Sequence, residues 1–262
     1  MAEIVVNGVR TVYEEHGTGD PVVLVHGLGG TGTDTWKKVI APLAEDFRVV
    51  VYDLRGSGKS NVTPGPYSVD LLAEDLDALV SALGLGRVAL IGHSLGGGIV
   101  LRHAASSPDR VRAVVTVGAV AEPLEQAKAG LEARAQTVES DGMAAVAETV
   151  ATGGLAPSFR EAHPEEFQEL ISLLASNDPE GYAAQCRAVV AMTADHLPQV
   201  EAPVLLVCGE LDQASPPAMN RENAARLPNA TLAEVADCAH HIQWEKPDEL
   251  IAAARPFLRA NS

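Results

Sequence analysis

The stretch Arg87-Val88-Ala89-Leu90-Ile91-Gly92-His93-Ser94-Leu95-Gly96-Gly97-Gly98 joins a short apolar run to a glycine-rich turn. Beyond it, Ile99, Val100, Leu101, His103, Ala104 and Ala105 continue as a helix-like stretch. The segment reads as a strand, a sharp turn and a helix, with one serine at the apex. A serine hydroxyl is a poor nucleophile unless it is exposed, aimed and paired with a base. The G-x-S-x-G spacing supplies the aim, because Gly92 and Gly96 leave the backbone room for a strained bend around Ser94. Ser94 is therefore the candidate nucleophile. A working site also needs backbone donors upstream, and an acid and a histidine downstream.

Outward from this turn, short apolar runs bounded by Gly, Asp or Pro predict strands. Ile4 to Val6 and Arg10 to Glu14 flank Asn7-Gly8, a hairpin signal. Pro21 to His26, Phe47 to Asp53 and Arg87 to Gly92 follow, and then Val111 to Val117, Pro203 to Cys208 and Ala230 to Val235. Helical patterns fall between them: Thr35 to Leu43, Ser68 to Leu83, Leu95 to Ser106, Ala218 to Leu227 and Asp248 to Phe257. An antiparallel start followed by alternating strand and helix predicts an α/β fold, a mostly parallel eight-stranded sheet with helices on both faces. The alternation breaks between Ala121 and Val200. That segment is rich in Ala and Glu and helix-like throughout: Leu124 to Val138, Gly142 to Thr152, Pro164 to Ala175 and Pro179 to Met192. The expected organisation is a core of residues 1–120 and 201–262, with residues 121–200 inserted as a helical cap.

The downstream partners follow from the strand ends. The run Pro203 to Cys208 leads into Gly209-Glu210-Leu211-Asp212-Gln213, placing a carboxylate at the ligand-facing edge of the sheet. Asp212 is the candidate acid and Glu210 its competitor. The run Ala230 to Val235 leads into Asp237-Cys238-Ala239-His240-His241, which offers two neighbouring histidines. The chain order is Ser, Asp, His.

Five stretches together resemble the α/β-hydrolase fold superfamily: Val25-His26-Gly27-Leu28-Gly29-Gly30, Asp53-Leu54-Arg55-Gly56-Ser57-Gly58-Lys59-Ser60, Gly92 to Gly97, Gly209 to Asp212, and His240 with Glu245 and Pro247. The last is similar to the superfamily's His-x4-Glu-x-Pro pattern and selects His240 over His241 as the base. Ala239 stands where the superfamily usually has Gly. The resemblance implies a Ser94-Asp212-His240 triad, with the backbone N–H groups of Leu28 and Leu95 as oxyanion donors. Gly27, Trp36, His93, Leu155 and His241 are further candidates for the pocket. Asp141-Gly142-Met143 and Asp178 to Ala184 resemble the cap of 3-oxoadipate enol-lactonases and related carboxylesterases. Arg134 then occupies the place of an arginine that faces a substrate carboxylate, a role suited to a cation. Gly153-Gly154-Leu155-Ala156-Pro157 departs from the bulky aromatics those lactonases carry, and aromatic residues make up only 4% of the chain. The expected activity is therefore serine carboxylic-ester hydrolysis of small to medium esters or lactones. Enol-lactone hydrolysis is the narrower alternative, and a non-catalytic ligand receptor on the same fold is the alternative outside enzymology.

Composition narrows the partners. The 262 residues are 47% hydrophobic, enough for a large buried core. A net charge of −16 leaves no basic stripe for phosphates or anionic lipid, so neither nucleic acid nor membrane is expected as a partner. Cys186, Cys208 and Cys238 are too few and too scattered for a disulfide framework or a metal cluster. The start lacks a basic segment followed by a long apolar one, so a reducing, cytoplasmic setting is expected. Two motifs suggest nucleotides. Gly27-Leu28-Gly29-Gly30-Thr31-Gly32 matches G-x-G-x-x-G, with Asp53 downstream, and Gly58-Lys59-Ser60 resembles the end of a P-loop. A hairpin before the strand, His26 before the turn and Thr63-Pro64-Gly65-Pro66 where a helix is required all argue against them. Neither a cofactor nor a metal is expected.

Overall fold

A computed structural model describes residues 1–262. Eight strands make one sheet: β1 (Ala2–Val6), β2 (Val9–His16), β3 (Asp20–Val25), β4 (Phe47–Tyr52), β5 (Val88–His93), β6 (Val111–Val117), β7 (Val204–Gly209) and β8 (Ala230–Val235), in the order β1-β2-β4-β3-β5-β6-β7-β8. The pairs β1/β2 and β2/β4 are antiparallel, and every other neighbouring pair is parallel. Asn7 and Gly8 both take positive φ, 47° and 75°, the twist a two-residue hairpin needs.

The parallel strands read as unbroken apolar runs because both sheet faces are covered. In β3, Val22 and Leu24 point to one face, where Trp36, Leu43, Leu250 and Leu258 close the core. Val23 and Val25 point to the other, against Leu72, Leu76, Leu79, Ile99 and Val100. On the first face lie α1 (Gly32–Trp36), α2 (Ile40–Ala44) and α12 (Pro247–Ala260), and on the second lie α3 (Val69–Ala82) and α4 (Leu95–Ser106). The helix α3 begins at Ser68, whose hydroxyl accepts the Leu71 N–H at 3.1 Å and so satisfies an end group the helix itself cannot. Burying one such leucine contributes about 2 kcal/mol. The single helix expected over Thr35 to Leu43 is instead two short ones. Pro42 explains the break: it has no N–H and would clash with the preceding turn, so the helix restarts at Ile40 and keeps Pro42 in its first turn.

No strand occurs between β6 and β7. The segment carries α5 (Glu125–Asp141), α6 (Ala147–Gly154), α7 (Pro157–Ala162), α8 (Pro164–Ala175) and α9 (Pro179–Val190). The helix expected over Gly142 to Thr152 opens as a single 3-10 turn at Met143–Ala145, and α7, begun by Pro157, goes beyond the expected set. These helices form two apolar clusters of their own. One joins α5 and α9 through Ala135, Val138, Tyr182 and Cys186. The other joins α6, α7 and α8 to Ala239 and Trp244 of the core. Side chains pin the segment over the carboxyl ends of the strands: Asn177 Nδ2 donates to Gly29 O at 2.9 Å, and Gln185 Nε2 to Arg55 O at 2.8 Å. The remaining helices α10 (Pro217–Arg226) and α11 (Ile242–Glu245) belong to the C-terminal part of the sheet. No helix is long and apolar enough to cross a membrane.

Candidate active site

Ser94 sits between β5 and α4 at φ 52° and ψ −118°, a conformation that non-glycine residues rarely hold. The turn is kept tight by neighbours. A Cβ on Gly92 would run into the backbone of Gly96, and one on Gly96 into the carbonyls of Val25 and His26. The Ser94 N–H donates to Val117 O at 3.0 Å, and the Ser94 carbonyl accepts from Gly97 at 2.9 Å and Val120 at 3.2 Å. Strain at the apex is thus over-determined by hydrogen bonds on both sides.

The acid and the histidine meet. Asp212, buried in the loop after β7, accepts N–H bonds at Oδ1 from Ala214 (2.8 Å) and Ser215 (2.9 Å). Its Oδ2 lies 2.8 Å from His240 Nδ1. Both lone-pair sides of the carboxylate are therefore occupied. Its competitor Glu210 is exposed and accepts the Asp237 N–H at 3.0 Å, so it serves the loop rather than the imidazole. The contact assigns the Nδ1–H tautomer to His240 and leaves Nε2 as the free base. Gly118, at φ 53° after β6, backs this pair: a Cβ there would fall 3.1 Å from both Asp212 Oδ2 and His240 Nδ1. That position was legible only as a glycine at a strand end.

The electrostatics separate the two histidines. Burial alone would lower the His240 pKa, but the Asp212 charge and hydrogen bond outweigh it and hold the imidazole above its ordinary value. Burial would likewise raise Asp212, but His240 and the two N–H donors bring its carboxyl below the usual range. His241 has no such partner, and burial followed by repulsion from His240 pushes it down to about 3. His93 is driven well below its ordinary value by burial, His240 and His241. The rings of His93 and His240 lie 4.9 Å apart, and those of His93 and His241 5.0 Å apart. Of the three histidines, only His240 is shifted toward the protonated form.

His93, the residue before Ser94, connects the serine turn to the His240 loop. The His93 Nε2 lies 3.1 Å from the His240 carbonyl, which ties the base loop to the residue preceding the nucleophile. The Ser94 hydroxyl caps no helix N–H and is not hydrogen-bonded to His240. Such nucleophile–base contacts commonly tighten only when substrate binds. Gly27 abuts the serine: a Cβ there would fall 2.8 Å from Ser94 Cβ. The backbone N–H groups of Leu28 and Leu95 donate to nothing in the protein. His26 braces the loop that carries Leu28, its Nε2 accepting the Leu54 N–H at 2.9 Å and its Nδ1 lying 2.8 Å from Gly27 O.

A small cavity of about 10 Å³ adjoins this loop, walled by Gly27, Leu28, His93, Leu174, His241 and Trp244. Other pocket candidates fall elsewhere. Trp36 is fully buried in the sheet core, its ring meeting His93 edge-on at 6.4 Å, so it supports the imidazole from behind instead of lining the cavity. Leu155 is buried with Ala239 and Trp244, beneath the base loop. Arg134 projects from α5 toward Tyr182 and Cys186, half-buried and without an ion-pair partner. The Tyr182 hydroxyl beside it is buried close to Arg134 and Cys186, with its pKa pushed up to about 12 by burial. Tyr182 belongs to the Asp178 to Ala184 stretch, where a lone aromatic reads as core. A wider groove of about 750 Å³ lies between residues 63–67 and α5 and α9, away from Ser94. Asp53, which the dinucleotide motif would assign to a ribose, spends its oxygens on the N–H groups of Gly32 and Lys59, each at 2.8 Å.

Comparison with known proteins places this geometry. The profile of the alpha/beta hydrolase fold matches residues 20–247. The chain is 32% identical over 249 residues to 3-oxoadipate enol-lactonase 2 of Acinetobacter baylyi, covering 94% of this chain and 92% of that one. A thermophilic esterase from Thermogutta terrifontis superposes with a TM-score of 0.93 at 30% identity, covering 100% of this chain and 99% of that one. The enol-lactonase from Burkholderia xenovorans gives a TM-score of 0.93 at 29% identity, covering 98% and 100%. With its sheet order, strained serine turn and matched length, the chain belongs to the α/β-hydrolase fold family.

Proposed function

We propose that this carboxylic-ester hydrolase works through a Ser94-Asp212-His240 triad and an acyl-enzyme. The supporting observation is the buried Asp212–His240 contact at 2.8 Å, together with a serine held at positive φ at the end of β5, two strands from β7 on the same sheet edge. In the first half-reaction, His240 Nε2 takes the Ser94 proton as the oxygen attacks the acyl carbon. The tetrahedral oxyanion then sits between the Leu28 and Leu95 N–H groups, which are unspent in the resting enzyme. His240 returns the proton to the departing alkoxide. In the second half-reaction, water repeats the attack on the acyl-enzyme and releases the acid. Asp212 keeps the imidazole in the productive tautomer and stabilises the imidazolium without taking its proton.

The substrate class is small to medium esters or lactones, in keeping with relatives named as an esterase and as enol-lactonases. One observation favours a carboxylate-bearing lactone: Arg134 has no carboxylate partner and stands beside the buried Tyr182 hydroxyl. A half-buried guanidinium without a counter-ion is suited to a substrate anion. The relative named as an enol-lactonase agrees with that assignment. The test is a fluorophosphonate probe followed by peptide mass spectrometry, with a parallel screen of aryl esters, aliphatic lactones and an enol-lactone. One adduct on the Ser94 peptide, absent in Ser94→Ala, is expected. Equal turnover by Ser94→Ala would overturn the assignment.

A further inference from the structure

The loop that carries His240 is held by an unusual arrangement. Three successive residues of it donate their N–H groups inward. Ala239 donates to Glu245 Oε1 at 3.1 Å, and His240 and His241 both donate to Gly154 O at 3.1 and 3.2 Å. Gly154 belongs to α6 of the inserted segment. Two residues on, the Ala156 N–H donates to the other Glu245 oxygen, Oε2, at 3.0 Å. The carboxylate is 8% exposed, and its partners are N–H groups instead of a cation. Leu155, Ala156, Ala239 and Trp244 pack around it in one apolar cluster. A buried carboxylate is costly without such donors, so it holds them tightly and loses much if one is removed.

Resting on the reading of His240 as the base, we propose that Glu245 is a positioning residue that locks the inserted helices to the base loop. The cap then does more than enclose substrate: its residues Gly154 to Ala156 form part of the mount that orients the imidazole. The same carboxylate acts on His240 through its charge, adding to Asp212 in favouring the imidazolium. The titratable groups facing His240 are Asp212 from the β7 loop, His93 from β5, its neighbour His241, and Glu245 from α11. Facing Glu245 are Cys238 and Asp212, with Lys246 and Glu249 near Cys238. Of these, Glu245 and Asp212 supply the negative charge that His240 feels.

The test compares Glu245→Gln, Glu245→Asp and Ala156→Pro with the parent, using an activated aryl ester across pH. The glutamine variant removes the charge and turns an amide N–H toward one donor. A kcat lower by about tenfold with KM within about twofold is expected, the mark of misplacement and not of lost binding. Its acid limb of kcat/KM moves to lower pH. The aspartate variant keeps the charge but loses reach, so its kcat falls while its acid limb stays with the parent. Ala156→Pro removes the cap-side donor and puts a ring carbon where Glu245 Oε2 sits, so the carboxylate must give up that contact. Ala156 has φ −58°, and Leu155 before it has φ −121° and ψ 141°, both compatible with proline. Its kcat falls while KM holds. If Glu245→Gln fails to fold, the other two variants decide. Parent-like kcat and pH profiles in the folded variants, alongside an inactive His240→Ala, would overturn the lock and leave the base in place. An active His240→Ala would overturn both.

Discussion

The sheet and the helical segment above it obey different rules. In the sheet, each strand is a run of alternating faces with a helix on either side, and the pattern alone determines what is buried. In the segment between β6 and β7, burial depends on which loop of the core a helix meets: Asn177 on Gly29, Gln185 on Arg55, Gly154 on His240 and His241. The first region fixes where Ser94, Asp212 and His240 stand. The second holds the loop that carries His240, through Gly154. A sheet defect should therefore register as lost stability and a seam defect as lost turnover.

The sharpest way to break that division begins at the nucleophile. Ser94→Ala should lower kcat by about 10⁵-fold with melting temperature unchanged, read by an aryl-ester burst and thermal denaturation. Asp212→Asn should cost about 10⁴-fold at neutral pH, because the amide favours the wrong imidazole tautomer. Leu90→Ala, deep in the sheet core, should destabilise folding by 2–5 kcal/mol, on the order of other leucine truncations, yet leave kcat near parent at low temperature. Arg134→Gln should raise KM for carboxylate-bearing lactones by roughly tenfold, with neutral esters unaffected, since one charge-assisted hydrogen bond is at stake. A large stability loss in Arg134→Gln, or a rate loss in Leu90→Ala, would blur the division.

The smallest effect is a pH dependence. Only unprotonated His240 can accept the serine proton, and its pKa is raised, so kcat/KM falls as pH drops through that raised value. Stability moves the opposite way at this residue. Its contribution is fully present below the unfolded histidine value and is lost as pH climbs through the folded one. Asp212, depressed in the fold, contributes above the unfolded aspartate value and loses that contribution as pH falls toward the folded one. Denaturant titrations at stepped pH check both signs. An acid limb below the ordinary histidine range would contradict the stated order.

How much of this was legible follows the same division. All eight strands and their antiparallel-to-parallel switch are visible in the sequence, because short apolar runs and the turn residues that bound them are local properties. The serine turn, the acid after β7 and the histidine after β8 are legible for a related reason: they occupy strand ends. The preference for Asp212 over Glu210 is legible in the sequence, and the fold adds a reason, since Glu210 accepts the Asp237 N–H. Trp36 looked like pocket and is core, because a large aromatic two turns from a catalytic loop reads alike in either role. In the segment above the sheet, the helix over Gly142 to Thr152 and the additional helix α7 came out differently. Their ends are set by contacts to residues about ninety positions away, such as Ala156 to Glu245, and no local pattern encodes such a contact.

The donors beside Ser94 belong to the peptide chain and not to any side chain. Almost any point mutation at Leu28 or Leu95 keeps them, proline excepted, but the two side chains differ: Leu95 is fully buried in the core of the sheet, while Leu28 is partly exposed on the wall of the small cavity. Chemistry and selectivity are thereby separable at Leu28, whereas at Leu95 the side chain is tied to stability. Laboratory evolution of new ester preferences should find position 28 permissive and position 95 resistant.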